Sequence, residues 1–374
     1  MSQEAINYHK ENKGKIQVVP KRRLENKEEL SLAYTPGVAQ VCKAIAEDPK
    51  RSWELTNRAN SVAIVTDGTA VLGLGNIGPE AGMPVMEGKS MIFKEMADID
   101  AYPLCINAGG VEDIVRFCKM IEPSFGGINL EDIAAPACFE VLSRLEQELT
   151  IPVFHDDQDG TAIVTLAALI NASKLRGQKI ENSKIVINGA GAAGIAISKL
   201  LLHYGAEEIV LLDSLGAVYK SREDLNPVKR DIAGKINVKE KKGKLEQVIV
   251  DMDIFIGVSL GNMLTLEMVK SMNQNPVVLA MANPVPEIYP EEARQGGAYI
   301  IGTGRSDYPN QINNALVFPG MFRGLLDMCS GQEKCPMPDA DLKIKAARAI
   351  AGVVEPKEDK ILPEVMDKRV VGAI

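Results

Sequence analysis

Histidine is scarce in this chain, with only His9, His155 and His203 among 374 residues. A metal centre built from several imidazoles is thereby excluded. The six cysteines (Cys42, Cys105, Cys118, Cys138, Cys329 and Cys335) contain no C-x-x-C pair. That spacing suggests no zinc site and fits reduced thiols in a cytoplasmic protein. An excess of Lys and Arg is also missing: the formal net charge is -8, which argues against a nucleic-acid surface or a polybasic membrane anchor. No apolar run approaches the length of a membrane span, and the polar N-terminus MSQEAINYHKENKGKIQ holds no signal-peptide core. Internal repeats and low-complexity tracts are absent as well. What remains is a soluble globular chain, long enough for two domains, whose 46% hydrophobic content allows each a core.

Acids are what the chain does concentrate. The stretch 151–162, IPVFHDDQDGTA, reads as a short buried strand that runs into Asp156, Asp157 and Asp159, then Gly160 and a helix. Residues 126–130 form a second strand ending in Glu131 and Asp132, before a helix pattern over 136–148. Two parallel strands joined by one helix deliver their carboxyl ends to the same edge. Glu131, Asp132 and Asp157 would then converge as ligands for Mg²⁺ or Mn²⁺, with His155 beside an oxygen-rich site that does not favour it. The plainer alternatives are helix caps at Asp156 or Asp157 and first-turn acids at Glu131 and Asp132.

Upstream, residues 26–48 read as two short helices separated by Tyr34-Thr35-Pro36-Gly37, a sharp turn that presents Tyr34. Tyr34 is a candidate for catalysis or a packing residue. Residues 61–65 and 71–74 carry a hairpin signal through Thr66-Asp67-Gly68-Thr69. The glycine-dense segment 73–88 is expected to be a loop across a cleft that leads to Lys89, with a helix opening at Ser90. Lys89 is the better candidate than Lys94 for a desolvated general base, because burial lowers a lysine pKa.

The second half carries a dinucleotide fingerprint. A strand over 184–188 enters Gly189-Ala190-Gly191-Ala192-Ala193-Gly194, which opens a helix ended by Gly205; a strand over 209–212 follows, with Asp213 at its end. Glycines allow the pyrophosphate to approach the helix N-terminus, and the acid meets the adenosine ribose. Asp213 favours NAD over NADP; nearby Lys220, Arg222, Lys229 and Arg230 could reverse that preference. Further strands at 254–258, 277–281 and 299–301 end in small or polar residues, among them Asn283. Asn313 and Asn314 are loop formers whose amides also suit a substrate carboxylate. Residues 342–354 read as a helix packing back on the first domain.

Together these pieces resemble the malic enzymes, in their short prokaryotic form. The resemblance rests on LAYTPGVA at 32–39, DGTAVLGLGNIGPEAGMPVMEGK at 67–89, NLEDIAAP at 129–136, HDDQDGTA at 155–162, GAGAAG at 189–194, MANP at 281–284 and NNALVFPG at 313–320. It implies an α/β protein in which a Rossmann-type NAD(P)-binding domain, 156–313, is joined to an α/β catalytic domain, 1–155, completed by the C-terminal helices of 314–374. It also implies oxidative decarboxylation of L-malate to pyruvate and CO₂ with NAD or NADP, a Mg²⁺ or Mn²⁺ ion, and a homodimer or higher oligomer. Carried onto this chain, Lys89 resembles the general base, Tyr34 the acid that protonates C3, and Asp156 a supporting residue. Glu131, Asp132 and Asp157 resemble the metal ligands, and Asn283, Asn313 and Asn314 the substrate and nicotinamide contacts. The chain departs from the pattern at Asp159, where histidine is common and a further negative charge now stands beside the metal cluster. It departs again at Ala70, where longer relatives carry an arginine for malate; a basic residue of a second subunit is one replacement. Rival readings are a malolactic enzyme, which releases lactate, and a non-catalytic NAD sensor.

Overall fold

The acids and glycines singled out above lie at the carboxyl ends of two parallel sheets. The structure, a computed structural model, describes residues 2–329 and 332–374. Helices α1 (Ser2–Asn12), α2 (Lys27–Ala33), α3 (Val38–Glu47) and α4 (Ser52–Leu55) precede the first sheet. That sheet comprises β1 (Ser61–Thr66), β2 (Asp100–Cys105), β3 (Gly127–Leu130) and β4 (Val153–His155), all parallel and ordered β2-β1-β3-β4. Every residue of β1 is buried, and its run SVAIVT suits a strand covered on both faces. Parallel neighbours need crossovers, supplied by α5 (Pro79–Ala97), α6 (Val111–Ile121) and α7 (Ala137–Glu148).

Two local expectations fail here. Residues 71–74 do not pair with β1 as a hairpin; Leu72–Leu74 form a single 3-10 turn, and β1 pairs with β2 and β3. The turn chemistry is satisfied by side chains instead: Thr66 Oγ1 accepts the Gly68 N–H at 3.0 Å, and Asp67 Oδ1 accepts the Thr69 N–H at 3.1 Å. Nor is 79–88 a loop. It is the first half of α5, so Lys89 sits in mid-helix. Gly82, Pro84 and Gly88 disfavour helix individually, but Met86 and Phe93 are fully buried, and packing overrides propensity. The helix starts on Pro79 and ends at Asp98, whose φ of 50° is left-handed.

A five-residue turn, Asp156–Gly160, leads from β4 into α8 (Thr161–Arg176), which is buried along most of its length and links the two sheets. The second sheet comprises β5 (Lys184–Asn188), β6 (Glu208–Asp213), β7 (Gly216–Ala217), β8 (Ile254–Gly257), β9 (Val277–Ala280) and β10 (Ile300–Thr303). Its order is β10-β9-β8-β5-β6-β7, and β7 alone runs antiparallel among the described residues. Helix α9 (Ala192–Tyr204) joins β5 to β6, and Gly205 ends it with φ 110°. The shorter α10 (Pro227–Ala233), α11 (Leu245–Val248), α12 (Leu266–Lys270) and α13 (Pro290–Gln295) connect the remaining strands.

The chain finishes in α14 (Phe318–Cys329), α15 (Ala340–Gly352) and α16 (Arg369–Ala373). Helix α14 packs on α5, where Phe93 meets Phe318 and Phe322 at 4.7 and 5.4 Å between ring centroids. Phe154 of β4 joins the same cluster, 5.9 Å from Phe322. Helix α15 lies on α8 and α9 rather than on the first sheet. Its small buried face fits closely there, and Asn171 of α8 donates to Ala351 O at 2.8 Å and to Ile361 O at 2.9 Å. The cysteines are not uniformly reduced: Cys329 and Cys335 are joined, their Cα atoms 4.8 Å apart. Helices α2 and α3 bury no residue, and Val18, Val19, Leu24 and Leu32 are exposed nearby. No described helix is long and apolar enough to cross a membrane.

Because Phe322 touches both α5 and β4 through Phe93 and Phe154, Phe322→Ala leaves a cavity that no single neighbour fills. We expect a loss of about 3–5 kcal/mol in urea unfolding; a loss below about 1 kcal/mol would show that the ring cluster does not hold these elements together.

Candidate active site

Strands β3 and β4 pair with Leu130 beside His155, so the residues that follow each strand emerge together. Glu131 continues the ladder, its N–H donating to Val65 O at 3.0 Å. Asp132 then takes a left-handed φ of 52°, a conformation uncommon outside glycine, and its N–H donates to Asp157 Oδ2 at 2.8 Å. One carboxylate oxygen from each of Glu131, Asp132 and Asp157 lies within 4.8 Å of the others. Three acids this close suit a hard divalent cation with oxygen ligands, and the donor set fits Mg²⁺ or Mn²⁺.

The turn Asp156–Gly160 is π-helical, wider than an ordinary helical turn, and it sends Asp156 inward while Asp157 faces Asp132. Gly160 is required for this: a Cβ there would lie 1.9 Å from Asp156 Oδ1. Asp156 is fully buried and accepts a hydrogen bond from Lys89 Nζ. Lys89 Nζ also lies 3.1 Å from Glu131 Oε2 and 4.4 Å from the centre of the Phe318 ring. Asn129 Nδ2 donates to the same Glu131 oxygen at 3.0 Å.

Electrostatics correct one expectation. Burial alone would lower the Lys89 pKa, but the Asp156 and Glu131 carboxylates outweigh it and hold the ammonium well above the usual lysine range. Burial raises Asp156 and Glu131, against the opposing charge of Lys89. The result is an ammonium held between two acids, both with a raised affinity for a proton. A second correction concerns Asp159. It adds no free charge to the metal cluster, because Lys343 of α15 pairs with its Oδ1 at 2.6 Å while its Oδ2 faces the His155 N–H at 3.5 Å. His155 is fully buried with its pKa lowered by that burial, so it stands as a neutral ring 3.7 Å from Asp157.

The glycine turn lies on the other side of the same acids, since α9 packs directly on the Asp156–Gly160 turn. Gly189 donates its N–H to Leu212 O at 2.9 Å, which joins the turn to the end of β6. A Cβ at Gly194 would lie 1.7 Å from Gly189 O, whereas one at Gly191 would meet nothing within 4 Å. The turn is therefore closed on its inner side and open beside Ala190, Gly191, Ala192 and Ala193 at the start of α9, where a pyrophosphate fits. Asp213 stands at the end of β6, next to this turn.

Asn283 lies where the loops after β9 and β10 meet, its amide against Gly304. Asn314 lies with Asp156 against Gly160, and Asn313 uses its side-chain oxygen to accept the Ala315 N–H at 2.8 Å. Tyr34 is not drawn in: it is 67% exposed, and its hydroxyl has no partner among the described residues. Sequence reading missed Phe318 beneath Lys89, Lys343 beside Asp159, and Glu287. The Glu287 carboxylate is fully buried and accepts the N–H groups of Ser259 and Ala282, both at 3.0 Å, which binds the ends of β8 and β9 together. Asn129 was visible within NLEDIAAP; nothing in the local sequence marks Lys343 or Glu287.

Known proteins resemble the chain throughout its length. The family model for the malic enzyme N-terminal domain matches residues 13–146, and that for the malic enzyme NAD-binding domain matches residues 158–373. A bifunctional malic/malolactic enzyme of Bacillus subtilis is 53% identical over 378 residues, which cover 100% of this chain and 91% of that protein. An NAD-dependent malic enzyme of Geobacillus stearothermophilus is 52% identical over 96% of this chain and 74% of its own length. Among solved structures, an NAD-dependent malic enzyme of Thermotoga maritima superposes with a TM-score of 0.95 at 48% identity, covering 99% of this chain and 97% of that one.

If the three carboxylates hold a cation, calorimetric titration with Mn²⁺ alone gives one site per chain. Glu131→Gln or Asp157→Asn then weakens binding by about 10-fold or more; unchanged affinity in both variants would remove these acids from the site.

Proposed function

The chain belongs to the malic enzyme family, and on that footing we propose that it oxidises L-malate and decarboxylates it to pyruvate and CO₂, reducing NAD⁺ or NADP⁺. The observation that carries this reading is the meeting of Lys89 and Asp156 with Glu131, Asp132 and Asp157, on a turn against which the dinucleotide-turn helix packs. We assign 1–155, completed by 314–374, to malate binding and 156–313 to the dinucleotide. The cleft between them closes on substrate. The reaction belongs in the cytoplasm, where nicotinamide dinucleotides are held.

Lys89 would take the proton of the C2 hydroxyl, with a dinucleotide held at the glycine turn supplying the acceptor for the C2 hydride. Asp156 positions the amine and, with its raised proton affinity, shares the proton that Lys89 must shed before each turnover. Glu131, Asp132 and Asp157 would hold a divalent cation, which would supply positive charge to offset these acids beside Lys89 and Lewis-acid stabilisation of the negative charge that develops on the substrate. The carboxylate on C3 leaves as CO₂, its bonding pair forms the enol of pyruvate, and Tyr34 returns a proton to C3. Asn283 and Asn314 meet nicotinamide and substrate from the far wall, with Asn313 capping the segment that carries Asn314.

Its exposure leaves the Tyr34 side chain available to a site outside its own chain. We therefore read the protein as a homodimer in which the exposed apolar residues Val18, Val19, Leu24 and Leu32 are covered by a second copy and Tyr34 reaches that copy's Lys89. The same contact offers a source for the cation that Ala70 does not supply. Release of lactate without reduced cofactor is the second reading, favoured by the bifunctional malic/malolactic relative.

Incubation with L-malate, Mn²⁺ and either oxidised dinucleotide decides between the two: pyruvate in equal amount with reduced cofactor supports the first, lactate the second. Lys89→Ala lowers kcat by about 10²–10⁴ in protein that circular dichroism shows to be folded, and full activity in that variant would remove the lysine from the base role. For the dimer, mixing inactive Tyr34→Phe and Lys89→Ala proteins after subunit exchange restores about a quarter of wild-type sites. No recovery, in a mixture shown by mass to contain hybrids, would place Tyr34 within its own chain's site or outside catalysis.

A further inference from the structure

The turn Asp156–Gly160 is held one residue at a time by different elements. Asp156 meets Lys89 of α5, and Asp157 accepts the N–H of Asp132, beyond the end of β3, at 2.8 Å. Gln158 Nε2 donates to Cys138 O of α7 at 3.3 Å, and Asp159 Oδ1 accepts Lys343 Nζ of α15 at 2.6 Å. A π-helical turn is a rare backbone state, so the direction in which each carboxylate points here depends on these side-chain anchors. Three of the four come from the first sheet and its crossovers. Lys343 comes from the C-terminal segment.

That lysine is carried by an element fixed to the dinucleotide side. Helix α15 packs on α8 and α9, His203 Nε2 of α9 lies 2.8 Å from Asp341 Oδ1, and the Arg348 guanidinium lies 5.5 Å from the centre of the Tyr204 ring. The Lys343 side chain is 16% exposed and that of Asp159 8%, and the ammonium bonds only Asp159 among the described residues. Asp159 pairs with no second cation among them; its other oxygen faces the His155 N–H at 3.5 Å. Removing one member of the pair strands the other where water reaches poorly, and movement of the turn is what relieves that cost. Asp157 lies two residues away on the same turn and moves with it.

We infer that Lys343 is a positioning residue for the cation site: through Asp159 it holds the turn on which Asp157 faces Glu131 and Asp132. The effect has a sign of its own. A lysine acting by charge alone repels a divalent cation, and its loss would tighten binding. A lysine that keeps a ligand in place weakens binding when it is lost. The inference rests on reading Glu131, Asp132 and Asp157 as the cation ligands, but not on the chemistry at Lys89.

The test is calorimetric titration of Mn²⁺ into the intact protein, with fluorescence titration of NADH as the control. Lys343→Met weakens Mn²⁺ binding by about tenfold or more and NADH binding by less than about threefold. Asp159→Asn weakens Mn²⁺ as well, and adding Lys343→Met to that variant costs less than about threefold more, because the partner is already gone. Melting curves establish that each variant is folded. Should Lys343→Met not fold, Asp159→Glu decides, since it keeps the charge and changes the reach: weaker Mn²⁺ binding supports the inference and unchanged binding overturns it. The inference is also overturned if folded Lys343→Met binds Mn²⁺ as tightly as wild type or more tightly, if it weakens Mn²⁺ and NADH alike, or if it costs as much without Asp159 as with it. Wild-type protein that binds Mn²⁺ alongside an unaffected Lys343→Met removes this inference and leaves the cation site standing; wild-type protein that binds no Mn²⁺ removes both.

Discussion

A lysine ammonium with 8% exposure, enclosed by acids and an aromatic ring, is the constraint on which the rest of this structure depends. Lys89 is tolerable in that place only because Asp156 and Glu131 are within bonding reach, and those carboxylates are tolerable only because Lys89 is there. The partners come from α5, the end of β3 and the turn after β4, while α14 supplies the Phe318 face. Removing one charge strands the others in a medium that solvates them poorly. The cluster therefore fixes how four separate elements meet, as well as furnishing the groups proposed for proton transfer.

The turn at Asp156–Gly160 connects this cluster to the dinucleotide side. It lies between β4 and the buried helix α8, and α9 packs upon it, so the glycine turn and the acids share one rigid support. From the C-terminal segment, Lys343 reaches Asp159 within the same turn, and the Ala351 and Ile361 carbonyls hold Asn171 of α8. The C-terminal helices thus brace the support from outside while α14 closes the apolar side of Lys89. Such bracing suits a site whose reacting groups must stay within tenths of an ångström of each other. In contrast, α2 and α3 bury nothing, and Tyr34 is the one proposed catalytic group carried by the turn between them.

Much of the site was legible because its signals are local. Glycines at 189, 191 and 194 with Asp213 beyond the next strand announce a dinucleotide turn through backbone geometry alone. Acids directly after two short apolar runs must emerge at one edge once the strands are parallel, which brought Glu131, Asp132 and Asp157 within reach of one another. Lys89 was recognisable as a candidate, although glycines and a proline disguised its helix, because the burial of Met86 and Phe93 that overrides their propensity comes from other elements.

By itself, then, the order of residues determined the two-sheet α/β plan, the glycine turn and the supply of carboxylates, since strand periodicity and turn chemistry act over a few neighbouring positions. Only the tertiary structure decided the charge state and partners of those groups. It set Asp156 and Glu131 against Lys89 and so reversed the pKa direction that burial alone implies. It cancelled Asp159 with a lysine 184 residues away, joined Cys329 to Cys335, paired Asp213 with Arg222 and Lys229, and left Tyr34 facing outward. Coulomb interaction and desolvation depend on distance through space, which a linear spacing does not contain until the chain has closed upon itself.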